Sequence, residues 1–350
     1  MHPSNKIFDQ VLVGTWQLSG THGAIHPKKV LENMHRYFEN GFCFWDTADH
    51  YGPAEDFLGT FVEEVEERHG RKESEKIKIL TKWVPTHPQK RGLPECEIDS
   101  AYITKNIDRS LKRLRRDQLY VLQLHWWDYE DQRLYDVMNE LCKLKDQGKV
   151  LHLAVTNFDA KHFEKLLKDG YPIASNQVRY SLIDRRAEKD MLRVCQTYNV
   201  PLLAFGTLCG GLLSEKYLGQ DDPERSLSFS EKGLYHKLIN QFGGWSQFQD
   251  LLHVLDEISK ELNCRLSSVA SQFILGRKEV SSVIIGSRLQ HDHDIDKTKE
   301  IPQIFLSKDQ REKISNILDR GLHLGDWMGE VASEYRGKAF VEQTSPSLKE

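Results

Sequence analysis

The chain has 350 residues, enough for one barrel-sized domain or two ordinary ones. Apolar residues make up 39% and charged residues 29%, the balance of a water-soluble globular protein, and a formal net charge of -4 offers no bulk attraction for nucleic acid. No apolar run approaches the roughly 20 residues a membrane helix needs, and the opening MHPSNKIFDQ lacks the apolar stretch of a secretory signal. The six cysteines (43, 96, 142, 195, 209 and 264) form no C-x-x-C pair or cluster, and there is no N-x-[ST] sequon. Free thiols in a reducing compartment, hence cytoplasmic residence, are the expectation.

From Val11 to Gly286, short apolar runs alternate with longer amphipathic stretches. The runs are VLVGTW (11–16), FCFWDTA (42–48), KIKILTKW (76–83), LYVLQLHWW (119–127), VLHLAVTNF (150–158), IASNQVRY (173–180), VPLLAFGTL (200–208) and VSSVIIGS (280–287). Each is rich in aliphatic or aromatic residues, as a strand buried on both faces requires. Helical patterns fall between them at 28–40, 54–69, 101–115, 133–148, 160–169, 186–198 and 247–262. Strand and helix repeated eight times imply parallel strands with right-handed crossovers. In this length they fit a closed (β/α)8 TIM barrel better than a doubly wound sheet. No Pro-, Gly- or Ser-rich linker divides the chain, so a single domain over 1–350 with its core at about 7–322 is expected. Residues 219–246 read as an extended loop after the seventh strand, a lid, a binding loop or partly helical decoration. Residues 323–350 read as a C-terminal arm with a disordered end.

Barrel enzymes carry their chemistry at the C-terminal ends of the strands. Three successive predicted strands here end on an ionisable residue, at Asp46, Lys82 and His125, and Tyr51 follows Asp46 in the next loop. These types suit hydride transfer to a carbonyl carbon, which leaves negative charge on an oxygen that must then be protonated. A tyrosine with a free pKa near ~10 is poorly matched to reversible proton transfer at neutral pH, and a nearby ammonium lowers it. Lys82 is placed for that role if Asp46 holds it, and His125 can donate a hydrogen bond to the substrate oxygen.

The strings WDTADHYG (45–52), LTKW (80–83), LQLHWW (122–127), VTNF (155–158), NQVRYSLIDRR (176–186), LLAFGTLCGGLLSEKY (202–217) and VIIGSR (283–288) resemble the aldo-keto reductase superfamily. The resemblance runs in order from about Gly14 to Arg288. It implies a (β/α)8 barrel that binds NADP(H) without a Rossmann domain, so the missing G-x-G-x-x-G is no objection. By this resemblance Asp46, Tyr51, Lys82 and His125 match the catalytic tetrad, with Tyr51 as general acid/base. Thr156, Asn157 and Gln177 match positions that hold the nicotinamide carboxamide, and Phe205 falls where a tyrosine usually stacks on the ring. Leu208, Gly211 and Lys216 lie along the pyrophosphate, and Ser287 and Arg288 match the site of the NADP 2′-phosphate, with NAD(H) as the other cofactor to weigh. Thr15 and Trp16, at the end of the first strand, complete the expected cofactor contacts. Two departures stand out. Cys209 and Gly210 replace the Gly and Arg of many relatives, and Asp292 and Asp296 stand where Glu or Gln and Asn often meet the adenine.

Plainer readings compete with several of these features. Asp46, Tyr51 and Lys82 taken singly are a strand-end carboxylate, a loop aromatic and a solvated terminus, and His125 beside two tryptophans suits a core. Asn157 and Gln177 can be ordinary turn and strand polar groups. HDHD (291–294) reads as a helix start capped by Asp rather than a metal cluster. His50 either touches ligand or flanks the loop. Trp16, Trp83, Trp126 and Trp127 are expected to wall an apolar substrate pocket. Three functions follow from these readings. The first is an NADP(H)-dependent oxidoreductase acting on a small-molecule carbonyl or alcohol. A cofactor-binding regulatory or redox-sensing subunit on the same barrel is the second. A metal-dependent hydrolase, the third, has only Asp46 and His125 well placed.

Overall fold

The computed structural model describes residues 7–20, 23–85, 98–224, 226–227, 235–290, 295–322, 324–325 and 329–336. Its strands are β1 (Val11–Gly14), β2 (Phe44–Asp46), β3 (Lys78–Trp83), β4 (Leu119–Leu124), β5 (Val150–Thr156), β6 (Ile173–Arg179), β7 (Leu202–Phe205) and β8 (Val280–Gly286). They follow one another around a closed barrel in sequence order, and the registered pairs are parallel. Between strands lie α1 (Pro27–Glu39), α2 (Ala54–His69), α3 (Arg71–Ser74), α4 (Ser100–Leu114), α5 (Arg133–Asp146), α6 (Ala160–Lys168) and α7 (Met191–Tyr198). After β7 come α8 (Lys237–Phe242), α9 (Gly244–Leu262) and α10 (Leu266–Leu275), and after β8 come α11 (Ile295–Glu300) and α12 (Lys308–Leu318). The stretch expected as a 219–246 loop is thus partly helical, because Leu238, Ile239 and Phe242 give α8 an apolar face to bury. HDHD and Asp292 lie outside the described residues, as does the end of the C-terminal arm from residue 337.

Two compact units divide the chain. One takes Leu12–Gln177, Gly286–His293 and Ala332–Glu350; the other takes Met1–Val11, Val178–Ile285 and Asp294–Val331. In the first, alternation along the strands sorts side chains between barrel interior and helix layer. Trp45 turns outward and is fully buried, edge-on to Phe61 of α2 (5.3 Å) and Tyr37 of α1 (6.0 Å). Each such aromatic pair contributes about 0.5–1.5 kcal/mol beyond its buried area. Two helix starts here are capped by an aspartate side chain. Asp99 accepts from Tyr102 N at 2.7 Å ahead of α4, and Asp159 accepts from His162 N at 2.8 Å ahead of α6. Helix α2 crosses the end of α4 so closely that a Cβ on Gly59 would lie 2.0 Å from the carbonyl oxygen of Arg113.

In the second unit, β7 pairs with β8 through Leu202–Val280 to Phe205–Ile284. The helix α12 opens with a full capping box between Ser307 and Gln310. Among the described residues no helix is long and apolar enough to cross a membrane.

Candidate active site

The alternation that sends Trp45 outward turns its neighbour Asp46 into the barrel. The same parity separates Thr81 from Lys82 on β3. Thr81 Oγ1 donates to Glu55 of α2 at 2.7 Å, while Lys82 Nζ donates to Asp46 Oδ2 at 2.6 Å and to the carbonyl of Thr47 at 2.8 Å. Asp46 and Lys82 are only 4% and 5% exposed, so this ion pair is withdrawn from water and is tolerable only with its remaining valences filled. Asp46 Oδ1 is filled by Gln177 Nε2 at 2.7 Å and Gln123 Nε2 at 3.3 Å, and Gln177 Nε2 also donates to Gln123 Oε1 at 2.9 Å.

Gln123 is a site residue that sequence reasoning missed. Its signal was a lone amide inside the apolar run LYVLQL, two residues before His125 and hence on the same face. The register pairs it with Lys82 across β3 and β4.

Tyr51 sits in the turn between β2 and α2, with its N–H on the carbonyl of Ala48 at 3.1 Å. Gly52 follows at φ +53, where an added Cβ would meet the carbonyl oxygens of Leu18 and Ser19 at 3.4 Å, so this turn needs glycine. Lys82 Nζ stands 5.0 Å from the centre of the Tyr51 ring. Among the described residues the Tyr51 hydroxyl makes no hydrogen bond. Burial pushes its pKa up, and the carboxylates of Asp46 and Asp49 push the same way. The lowering expected from Lys82 is not found: burial and the two carboxylates set the direction, and the Lys82 ammonium is already neutralised by Asp46. Burial also pulls the Lys82 amine below its ordinary value, against the opposing pull of Asp46. Asp49, buried beside this turn, was not anticipated; it takes His50 Nδ1 at 3.0 Å and Arg109 at 3.4 Å. His50 thus flanks the loop through Asp49, and its ring lies edge-on to Tyr51 at 4.9 Å.

His125 extends the β4 ladder by one bond, its N–H reaching the carbonyl of Trp83 at 3.0 Å. Its Nε2 lies 3.2 Å from the main-chain oxygen of Tyr335. A carbonyl oxygen only accepts, so Nε2 carries the proton.

At the end of β5, Thr156 Oγ1 donates to the carbonyl of Gln177 at 3.1 Å, and Asn157 takes a left-handed φ of +60. Among the described residues Asn157 Oδ1, though buried, has no hydrogen-bond partner. Thr15 spends its hydroxyl on the carbonyl of Asp46 at 2.9 Å, whereas Trp16 is half-buried in the turn after β1. Ser287 Oγ donates to the Tyr37 hydroxyl at 3.2 Å, and Arg288 beside it is exposed. Of the tryptophans expected to wall a pocket, Trp83 and Trp126 are each 1% exposed, while Trp16 and Trp127 keep partial exposure.

In the second unit Phe205, Leu208 and Gly211 are half-buried, and Lys216 is exposed with its amine 5.0 Å over the Tyr217 ring. Cys209, Gly210 and Gly211 run at φ +50, +69 and +93, an unusual path for a cysteine. Burial pushes the Cys209 thiol up to about 12, and its sulfur donates to Ser181 Oγ at 3.6 Å. It is a protonated thiol at neutral pH, which speaks against redox sensing there. Asp296 lies exposed in the first turn of α11. Among the described residues no group of three or more His, Cys, Asp or Glu side chains is placed to hold a metal.

A buried Asp–Lys pair thus stands beside a turn tyrosine at the strand ends of a (β/α)8 barrel. The sequence pattern of the Aldo/keto reductase family matches residues 10–319, and the chain belongs to that family. It is 24% identical over 317 residues to aldo-keto reductase YhdN of Bacillus subtilis, covering 88% of this chain and 89% of that one. It is 27% identical over 285 residues to aryl-alcohol dehydrogenase GME11368 of Pestalotiopsis microspora, covering 78% and 68%. The solved glycerol dehydrogenase AKR11B4 of Gluconobacter oxydans shares the fold with a TM-score of 0.71 at 23% identity, over 89% of this chain and 92% of that one.

Proposed function

We propose that the protein interconverts a carbonyl compound and an alcohol with NADP(H), and that Tyr51 is the general acid/base. The observation that carries this reading is the buried Lys82–Asp46 pair at 2.6 Å with its amine 5.0 Å from the Tyr51 ring. The residues present suit a nicotinamide. Asn157 Oδ1 is a buried acceptor still to be filled, and Gln177, committed through Nε2 to Asp46, keeps its Oε1 for the same carboxamide N–H groups. Arg288 beside Ser287 offers a guanidinium for the 2′-phosphate, which favours NADP over NAD.

When bound, NADPH supplies the hydride. The rest falls to the chain. His125 Nε2–H holds the substrate oxygen, and as the carbonyl carbon gains the hydride that oxygen takes the Tyr51 proton. The tyrosinate left behind faces the Lys82 ammonium, which Asp46 keeps charged and in place. Burial keeps the Tyr51 phenol protonated but makes it a weaker acid, so donation depends on the Lys82 ammonium stabilising the tyrosinate as it forms.

The test is NADPH and NADH oxidation over a panel of aromatic aldehydes, short aldehydes and ketones, with alcohols and oxidised cofactor run in reverse. Tyr51→Phe is expected to lower turnover by roughly 10²–10⁴ while leaving cofactor affinity nearly unchanged. Wild-type turnover in the Phe variant refutes the acid assignment. Turnover that survives chelation yet needs NADPH separates this chemistry from metal-dependent hydrolysis.

A further inference from the structure

The His125 Nε2–H that is to hold the substrate oxygen already has an acceptor, and it comes from the C-terminal segment. Ser333–Tyr335 form a single 3-10 turn closed by Tyr335 N–H on the carbonyl of Ala332 at 3.0 Å. That turn delivers the Tyr335 carbonyl to His125 at 3.2 Å and sets the Tyr335 ring edge-on to the imidazole at 6.4 Å. One N–H at this distance serves one good acceptor. A backbone amide oxygen and a substrate carbonyl oxygen are the same kind of acceptor.

The next residue fastens the turn. Arg336 reaches Asp159, which is only 3% exposed, through Nη1, and its guanidinium lies 5.6 Å from the centre of the Tyr129 ring. Its Nε donates back to the carbonyl of Ala332 at 3.2 Å, tying the anchor to the turn it holds. The receiving surface is preassembled. Tyr129 stacks on His162 at 3.7 Å, and Asp159 is fixed by the N–H and Nδ1 of His162 at 2.8 Å each. A planar cation on an aromatic face beside a buried carboxylate is a specific latch rather than a casual surface pair.

We propose that the turn Ala332–Arg336 is a built-in competitor for the substrate, and that Arg336, by pinning it, determines which carbonyl compounds bind and at what concentration. This rests on the reading of His125 as the donor to the substrate oxygen. A substrate meets His125 only in the fraction of molecules whose turn has lifted, so its apparent affinity is reduced by that fraction. Removing the latch enlarges the open fraction without touching any group that meets the reacting atoms. The KM therefore falls while kcat holds. A bulky substrate, which needs the Tyr335 ring displaced as well as its carbonyl, gains more than a small one.

The test compares the full-length wild type with Arg336→Ala and Arg336→Lys. Hydrogen exchange of the peptide spanning 332–336 is expected to quicken at least tenfold in Arg336→Ala, and Lys, which keeps the charge, restores part of the protection. With NADPH saturating, the KM for benzaldehyde is expected to fall at least fivefold and that for a naphthaldehyde further, with kcat within twofold. An unchanged or higher KM overturns the proposal, because the turn would then be a wall of the pocket rather than its occupant. Unchanged exchange overturns it as well, by showing that Arg336 is no latch. Wild type that reduces no carbonyl at all counts against the proposed function, and the exchange measurement still decides the latch.

Discussion

Replacing Asp46 by asparagine changes almost no volume and asks one electrostatic question. The carboxylate accepts on both oxygens, Oδ2 from Lys82 and Oδ1 from Gln177 and Gln123. An amide has a single acceptor, so either orientation sets its NH₂ against a donor. The larger cost is an ammonium left at 5% exposure without its counter-charge. Breaking a buried pair in this way costs about 3–5 kcal/mol. Lysine has an escape that caps the charge part of the loss, because it can fold neutral. From a reference pKa near ~10.4, shedding the proton at pH 7 costs about 4.6 kcal/mol, at ~1.36 kcal/mol per pH unit. Burial already pulls the Lys82 pKa down with Asp46 in place, and removing Asp46 removes what opposes that pull.

With the folded pKa depressed below the unfolded one, the unfolded chain binds more protons between the two values, so stability rises with pH through that window. In Asp46→Asn the window reaches further down than in wild type. The deficit is expected to be about 3–5 kcal/mol at pH 7 and to shrink by up to ~1.4 kcal/mol per pH unit toward pH 9. The neutral amine also regains a partner there, since its lone pair can accept from the new amide. Urea unfolding followed by tryptophan fluorescence at pH 7, 8 and 9, on both proteins, reads this directly. A deficit that stays constant over that range refutes the assignment of the buried charge to Lys82.

Two further outcomes are expected. Arg288→Ala should weaken NADP binding roughly tenfold or more while NAD binding changes little, measured by cofactor fluorescence titration; equal losses remove the reason to place the 2′-phosphate there. Gly59→Ala should lower the thermal unfolding midpoint, because the added Cβ lies 2.0 Å from the Arg113 carbonyl oxygen and about 1–3 kcal/mol of overpacking exceeds the ~1 kcal/mol gain in helix propensity. A variant as stable as wild type would mean that the approach of α2 to α4 is looser than described.

Each apolar run was legible as a strand because burial on both faces demands continuous hydrophobicity, and each strand came out at or inside the span that its run marked. The strand-end positions of Asp46, Lys82 and His125 were legible because each closes an apolar run, although each taken singly also reads as an ordinary structural group. Period two then fixed their direction: Trp45 and Thr81 face the helices, so Asp46 and Lys82 face inward.

What the chain order left open was everything set by distance across the barrel. Gln123 looked like one polar residue in a strand, and only register shows that it and Gln177 share the oxygen of Asp46 that Lys82 leaves free. Burial, likewise, decides the direction of the Tyr51 pKa, and it depends on atoms from many segments at once. The acceptor on His125 was unreadable in principle, because it is a main-chain oxygen 210 residues away and every residue carries one. Composition and period reach as far as local geometry and the sorting of faces. Energies that depend on solvent exclusion and on contacts between distant segments arise only once the chain has closed on itself.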